Sequence, residues 1–250
     1  MRIGFVGAGN MAAAMARGWA RSDAGPEMLF SDLDQDRAES LAGEVAGETR
    51  PDLASLAADS DALLLAVKPA ALDDVARELG GSAPLILSVI AATPLKRLNE
   101  AFPGVPALRL MPNQPAEVGR GVLVHAAPQP GAESLLALLP ALGTTIEVPE
   151  ETMEAAMAVM SCSPAYVALF AEALAGAGAR DGLEPALSLE LVAGTLEGTA
   201  ELLRERDPAA IRQAVAPPGG ATEAGLGALL EGGFEEAIAN AVEASLARFR

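Results

Sequence analysis

Arg2-Ile3-Gly4-Phe5-Val6-Gly7-Ala8-Gly9-Asn10-Met11-Ala12 opens the chain, and the reading of this stretch decides the fold. An apolar run enters two glycines spaced G-x-G, and Met11, Ala13, Met15, Trp19 and Ala20 then recur at helical spacing. The pattern predicts strand, tight turn and helix. Gly7 permits the turn, Gly9 lets the backbone approach a pyrophosphate, and Ala12 takes the third position, where a small side chain lets helix and strand pack closely. Phosphates would meet the free N–H groups of Asn10, Met11 and Ala12 beside Ala8, at a helix end carrying about half a positive charge. A second apolar run, Met28-Leu29-Phe30-Ser31, ends at Asp32, near the spacing at which an acidic side chain takes the ribose hydroxyls. The structural alternative is that Asp32 or Asp34 caps a helix starting near Gln35.

Outward from this stretch, residues 1–150 alternate short apolar runs with helical patterns, which predicts a doubly wound sheet. Ala62-Leu63-Leu64-Leu65-Ala66-Val67 shows no alternation and reads as a strand buried on both faces. Further strands are expected at Leu85–Ile90, Ala107–Leu110, Gly121–His125 and Thr144–Val148. Helices are expected at Asp36–Glu44, Leu53–Ala58, Leu72–Leu79, Leu95–Ala101 and Glu133–Leu142. After Pro149-Glu150 no strand pattern remains. Apolar residues at helical spacing from Met153 onward predict an all-helical domain over 151–250, with more apolar face than about 100 residues can hide, and hence a homodimer or higher homo-oligomer.

In open α/β sheets ligands bind outside the carboxyl ends of the strands. Breaks fall there at Ala66-Val67-Lys68-Pro69, at Ala91-Ala92-Thr93 and at Met111-Pro112-Asn113, and each is also what ends a strand for structural reasons alone. Composition narrows the function. A formal charge of −17 with no basic stripe argues against nucleic acid and anionic membranes. One cysteine, Cys162, allows no internal disulfide and points to a reducing, cytoplasmic setting. A strand beginning at residue 2 leaves no room for a signal peptide, and no apolar run is read as reaching the roughly 18 residues of a membrane span. No metal site is expected.

The chain resembles the pyrroline-5-carboxylate reductases over nearly its whole length. The resemblance is carried by Gly4-Phe5-Val6-Gly7-Ala8-Gly9-Asn10-Met11-Ala12, Ala66-Val67-Lys68-Pro69, Arg109-Leu110-Met111-Pro112-Asn113, Ser163-Pro164-Ala165-Tyr166-Val167, Glu172-Ala173-Leu174 and Pro218-Gly219-Gly220-Ala221-Thr222. The carboxyl end from Gly232-Gly233-Phe234 to Ser245 fits as well. It implies a Rossmann-type nucleotide-binding domain, a helical dimerisation domain, an active site shared between subunits, and reduction of a cyclic imine to proline with NADH or NADPH. Asn113 and Ala66-Val67-Lys68-Pro69 would then face the cofactor. Ser163 and the loop Gly219-Gly220-Ala221-Thr222 would hold the imino acid, with free backbone N–H groups at a helix start and the Thr222 hydroxyl receiving its carboxylate. The bland reading of that loop is a helix–helix turn capped by Thr222. Asp32, with no arginine beside it before Arg37, leans the cofactor expectation toward NADH.

Two positions depart from the family pattern. Gln114 stands where threonine is usual, and Met160-Ser161-Cys162 precede Ser163 where Ser-Gly-Ser is usual, so Ser161 adds a Cβ. They keep open a nucleotide-binding paralogue with altered substrate or lost turnover, acting as a sensor or binding partner. No residue is assigned as a catalytic acid or base. His125 lies mid-strand, the helical domain has no lysine, and a protonated imine already draws the hydride. The lone tyrosine, Tyr166, reads as packing.

Overall fold

The computed structural model describes residues 1–249. They form two compact units, Met1–Pro164 with the chain end from Leu246, and Ala165–Ser245. The first is a doubly wound sheet with strands β1 (Arg2–Val6), β2 (Glu27–Ser31), β3 (Glu48–Thr49), β4 (Ala62–Leu65), β5 (Ile86–Ser88), β6 (Ala107–Met111), β7 (Gly121–His125) and β8 (Gly143–Glu147). Their spatial order is β3-β2-β1-β4-β5-β6-β7-β8, so the order reverses between β1 and β4. All pairs are parallel except β6 with β7. Residues 112–120 are too few for a crossover, and a 3₁₀ turn at Gln114–Val118 ending on Gly119 (φ +68°) sends the chain straight back.

Side-chain alternation divides the core between the two faces. Ile3, Phe5, Phe30 and Leu64 pack with Trp19 on the face of α1 (Asn10–Ala20) and α2 (Gln35–Glu44). Val6, Leu63, Leu65 and Ile86 pack under α3 (Leu53–Ala58), α4 (Leu72–Leu79) and α5 (Leu95–Ala101). Phe5 stacks on Phe30 at 4.5 Å and meets Trp19 edge-on at 5.9 Å. The helix expected at Glu133–Leu142 is instead a 3₁₀ run, with Pro140 inside it removing a donor. The Trp19 indole N–H donates to Leu138 O at 2.9 Å and pins this run to α1. The strand pattern stops near residue 150, yet the first unit continues through α6 (Met153–Met160), because Met153, Met157 and Met160 complete a core with Met111, Val124 and Ala126.

The second unit is helical: α7 (Ser163–Arg180), α8 (Pro185–Glu205), α9 (Pro208–Val215), α10 (Ala221–Glu231) and α11 (Phe234–Phe249). Among its residues only Ala175, Ser188 and Val192 are buried, tied where the Ser188 hydroxyl donates to Ala175 O at 2.8 Å. Val167, Leu169, Phe170, Leu174, Leu187 and Leu191 lie exposed on the isolated chain, Leu169 by 65%. One expectation is corrected here. The helical run Glu150–Arg180 has an 18-residue window of mean hydropathy 1.5, so by length and composition it is long and apolar enough to cross a membrane. Alanines interspersed with single large residues such as Val159, Val167, Leu169 and Phe170, and interrupted by Ser161, Ser163 and Pro164, carry that hydropathy, so no unbroken apolar block marks it in the sequence.

Candidate active site

The glycine turn sits where the strand order reverses. Gly7 has φ +97°, and a Cβ there would stand 2.8 Å from Ala66 O, so both conformation and packing demand glycine. Gly9 is different. Its φ of −74° suits any residue, and a Cβ would meet no atom within 4 Å. The fold has no need of glycine at this position, whereas a pyrophosphate approaching the backbone does. Among the described residues no acceptor takes the amides of Asn10, Met11 and Ala12, and the first turn of α1 carries no acidic side chain to compete for them. Ala12 is fully buried in the sheet-facing core. These residues fit a dinucleotide.

Ala8 departs from its expected part. Its N–H donates to Asp32 Oδ2 at 2.6 Å, and Asp32 Oδ1 accepts from Asp34 N at 2.9 Å, so Asp32 braces the glycine turn from the end of β2. The capping alternative holds for Asp34, which accepts from Arg37 N at 3.2 Å as the N-cap of α2. On the other side of β1, Ala66 N donates to Val6 O at 3.0 Å and draws the exit of β4 against the turn. Ala66 and Val67 are half-buried there, and Lys68 and Pro69 are exposed at the start of a 3₁₀ turn.

At the exit of β6, Asn113 is buried. Its amide donates to Met160 O at 3.0 Å and accepts from Val122 N at 2.8 Å, so it ties the end of α6 to β7. Ser161 follows with its hydroxyl toward Pro112 O at 3.3 Å, and the half-buried Ser163 opens α7 with its hydroxyl 3.5 Å from Met160 O. Gln114 is turned onto Glu117 at 2.8 Å, and Arg17 of α1 bridges Glu117 to Glu44 at 3.1 and 2.8 Å. Hydrogen bonding from Arg17 holds the Glu44 carboxyl below its ordinary range, so this tie is complete above that range and is lost only as pH falls through the lowered value. His125 is buried with Nδ1 at 2.8 Å from Ala126 O, which is a structural placement.

Sequence reasoning missed Arg109. It is 1% exposed on β6 and reaches Glu150 at 3.3 Å and Glu154 at 2.7 Å, while its Nε is buried without a partner. Glu150 also accepts from Leu95 N at the start of α5, so one arginine joins β6, α5 and α6. A lone cation inside the apolar strand Ala107-Leu108-Arg109-Leu110 was the available signal, since a buried charge must be paired.

In the second unit the loop before α10 differs in part from expectation. Gly219 N donates to Glu223 Oε2 at 2.7 Å and Gly220 N donates to Pro217 O at 2.9 Å, so neither glycine amide is free. Glu223, the third helical residue, folds its carboxylate back onto the residue before the N-cap, one position beyond where a capping box would place it. Gly220 is the N-cap, Thr222 is exposed in the first turn, and the amides of Ala221 and Thr222 find no acceptor among the described residues. Tyr166 is half-buried, its hydroxyl 2.6 Å from Ser245 Oγ and 3.4 Å from Ala241 O.

A free helix N-terminus behind a glycine turn, at the switch point of a parallel sheet, places the chain among the dinucleotide-dependent oxidoreductases built on a Rossmann sheet. Residues 150–250 match the family described as pyrroline-5-carboxylate reductase dimerisation, and residues 2–92 match that described as NADP oxidoreductase coenzyme F420-dependent. Pyrroline-5-carboxylate reductase of Synechocystis sp. is 39% identical over 99% of this chain and 97% of its own length. The chain belongs to the pyrroline-5-carboxylate reductase family. Among solved structures, the Streptococcus pyogenes 1-pyrroline-5-carboxylate reductase superposes with a TM-score of 0.89 at 28% identity, over 100% of this chain and 98% of that one. The Plasmodium falciparum pyrroline carboxylate reductase, solved with NADP bound, gives 0.85 at 26% identity over 100% and 97%.

Proposed function

We propose that this chain reduces 1-pyrroline-5-carboxylate to proline with NADH or NADPH in the cytoplasm, as a homodimer or larger homo-oligomer. The observation that carries the reading is the Gly9 position, where neither backbone nor packing calls for glycine and an approaching pyrophosphate does. The dinucleotide supplies the hydride when bound. Gly7 shapes the turn, the amides of Asn10, Met11 and Ala12 receive the pyrophosphate, and the exit at Ala66-Val67-Lys68-Pro69 borders it. Asn113 acts toward the nicotinamide end through the Met160–Ser163 segment that its amide anchors. The chain needs no acid to protonate a developing anion, because the iminium carbon accepts a hydride to give the neutral secondary amine; its task is positioning and exclusion of water. The substrate carboxylate meets the free amides of Ala221 and Thr222 and the Thr222 hydroxyl, and Ser163 at the start of α7 is the substrate residue of the first unit. The single free cysteine, Cys162, accords with a reducing compartment.

The direct test mixes the purified protein with NADH or NADPH and pyrroline-5-carboxylate and follows the nicotinamide absorbance. Loss of that absorbance with appearance of proline is expected. Tight nucleotide binding without turnover on the imine would instead favour the sensor reading.

Two variants probe the second unit. Thr222→Val keeps the side-chain shape and removes a donor to a charged group, so kcat/KM for the imine is expected to fall by roughly ten- to a hundredfold with NADH affinity unchanged. An equal loss in NADH binding would refute the assignment. Leu169→Glu puts a charge on an apolar face that the isolated chain leaves in water. Light scattering at micromolar concentration is expected to show the parent as a dimer or larger and the variant shifted toward monomer. A folded monomeric parent would contradict the assembly.

A further inference from the structure

The loop between β2 and α2 carries a selection problem that the reaction leaves open. Asp32 is held by two backbone donors, Ala8 N and Asp34 N, which fix its carboxylate beside the glycine turn. In this fold the acidic residue after the second strand faces the adenosine ribose, so a phosphate on the 2′ oxygen would meet that charge. Asp32 cannot swing aside without giving up the bond that braces Ala8. Leu33 is fully exposed and its side chain offers no donor, and Asp36 adds a third carboxylate in the first turn of α2.

The cations that might offset this are spoken for. Arg37 is the one cation between Ser31 and Ser40, and its guanidinium donates to Asp34 Oδ2 at 3.0 Å while its N–H is capped by the same carboxylate. Arg50, next along the sheet edge beyond β3, is committed to Asp59 at 2.6 Å and Glu48 at 3.0 Å.

We propose that Asp32, Asp34 and Arg37 form a selection device that favours NADH: Asp32 rejects the 2′-phosphate from a fixed position, and Asp34 restrains the arginine that would otherwise accept it. The inference rests on the dinucleotide reading above and makes Asp34, which needs no contact with the cofactor, a specificity-determining positioning residue.

Calorimetric titration with ADP-ribose and with 2′-phospho-ADP-ribose tests it, since these fragments carry the distinguishing phosphate and no nicotinamide and need no turnover. The parent is expected to bind ADP-ribose at least about tenfold more tightly. In Asp32→Asn, 2′-phospho-ADP-ribose should bind more tightly than it does to the parent, by about tenfold. Asp34→Asn retains the cap, because asparagine caps as well as aspartate, and should favour the phosphorylated fragment by roughly threefold, the scale of an exposed ion pair. That gain should vanish when Arg37→Ala is added. A parent that binds both fragments equally, a change in Asp32→Asn that comes only from weaker ADP-ribose binding, or an Asp34→Asn gain that survives Arg37→Ala overturns the proposal. Binding of neither fragment overturns the dinucleotide reading and this inference with it.

Discussion

Gly9→Asp is expected to leave the thermal midpoint unchanged or slightly raised while weakening NADH binding by about a hundredfold or more. The residue is the N-cap of α1, where aspartate is among the best choices, and its backbone at φ −74° accepts any side chain without a clash. The same carboxylate would satisfy the first-turn amides itself and set a negative charge against the pyrophosphate, so two favourable interactions are replaced by one repulsion. Fluorescence titration with NADH, run beside thermal unfolding, separates the two effects. Retained binding would mean that the turn does not carry the phosphates. Gly7 makes the contrast, since there a Cβ meets strain and the Ala66 carbonyl, and loss of binding could not be told from loss of fold.

Arg109→Met is expected to destabilise the first unit by about 2–4 kcal/mol, because it leaves the half-buried carboxylates of Glu150 and Glu154 without their buried counter-charge. For a chain of this size that lowers the thermal midpoint by roughly 10 °C. Adding Glu154→Gln and Glu150→Gln should recover part of the loss, since a neutral set is less costly than an orphaned charge. A shift under about 2 °C for the single variant would show that water reaches the cluster and that Arg109 is not the tie between β6, α5 and α6.

Much of the first unit was legible because its strands and helices bury faces with clean periods. The helices at Leu53–Ala58, Leu72–Leu79 and Leu95–Ala101 and the strand at Gly121–His125 fall where periodicity puts them. The two-residue β3 went unread, being too short to show any period. Glu133–Leu142 has apolar spacing that suits an α-helix, and only the geometry of Pro140 and the Trp19 bond decides for 3₁₀. At the site, the glycines announced themselves through their spacing. The employment of their neighbours did not: Asp32 with Ala8, Asn113 with Met160 and Arg109 with Glu154 are pairs set by tertiary approach, which no local pattern encodes. The Gly219 and Gly220 amides were misread because a first-turn carboxylate and a proline carbonyl compete for the donors that an anion would use.

The sparse interior of α7–α11 makes the second unit a half of something. With Ala175, Ser188 and Val192 as its buried residues, it has little of its own to hold it together, and in the assembly proposed above a second chain supplies most of the apolar contact. Folding and association then become one reaction, and the free energy that keeps these helices in place includes a logarithm of how much protein is present. Dilution acts on such a molecule as denaturant acts on a self-contained one.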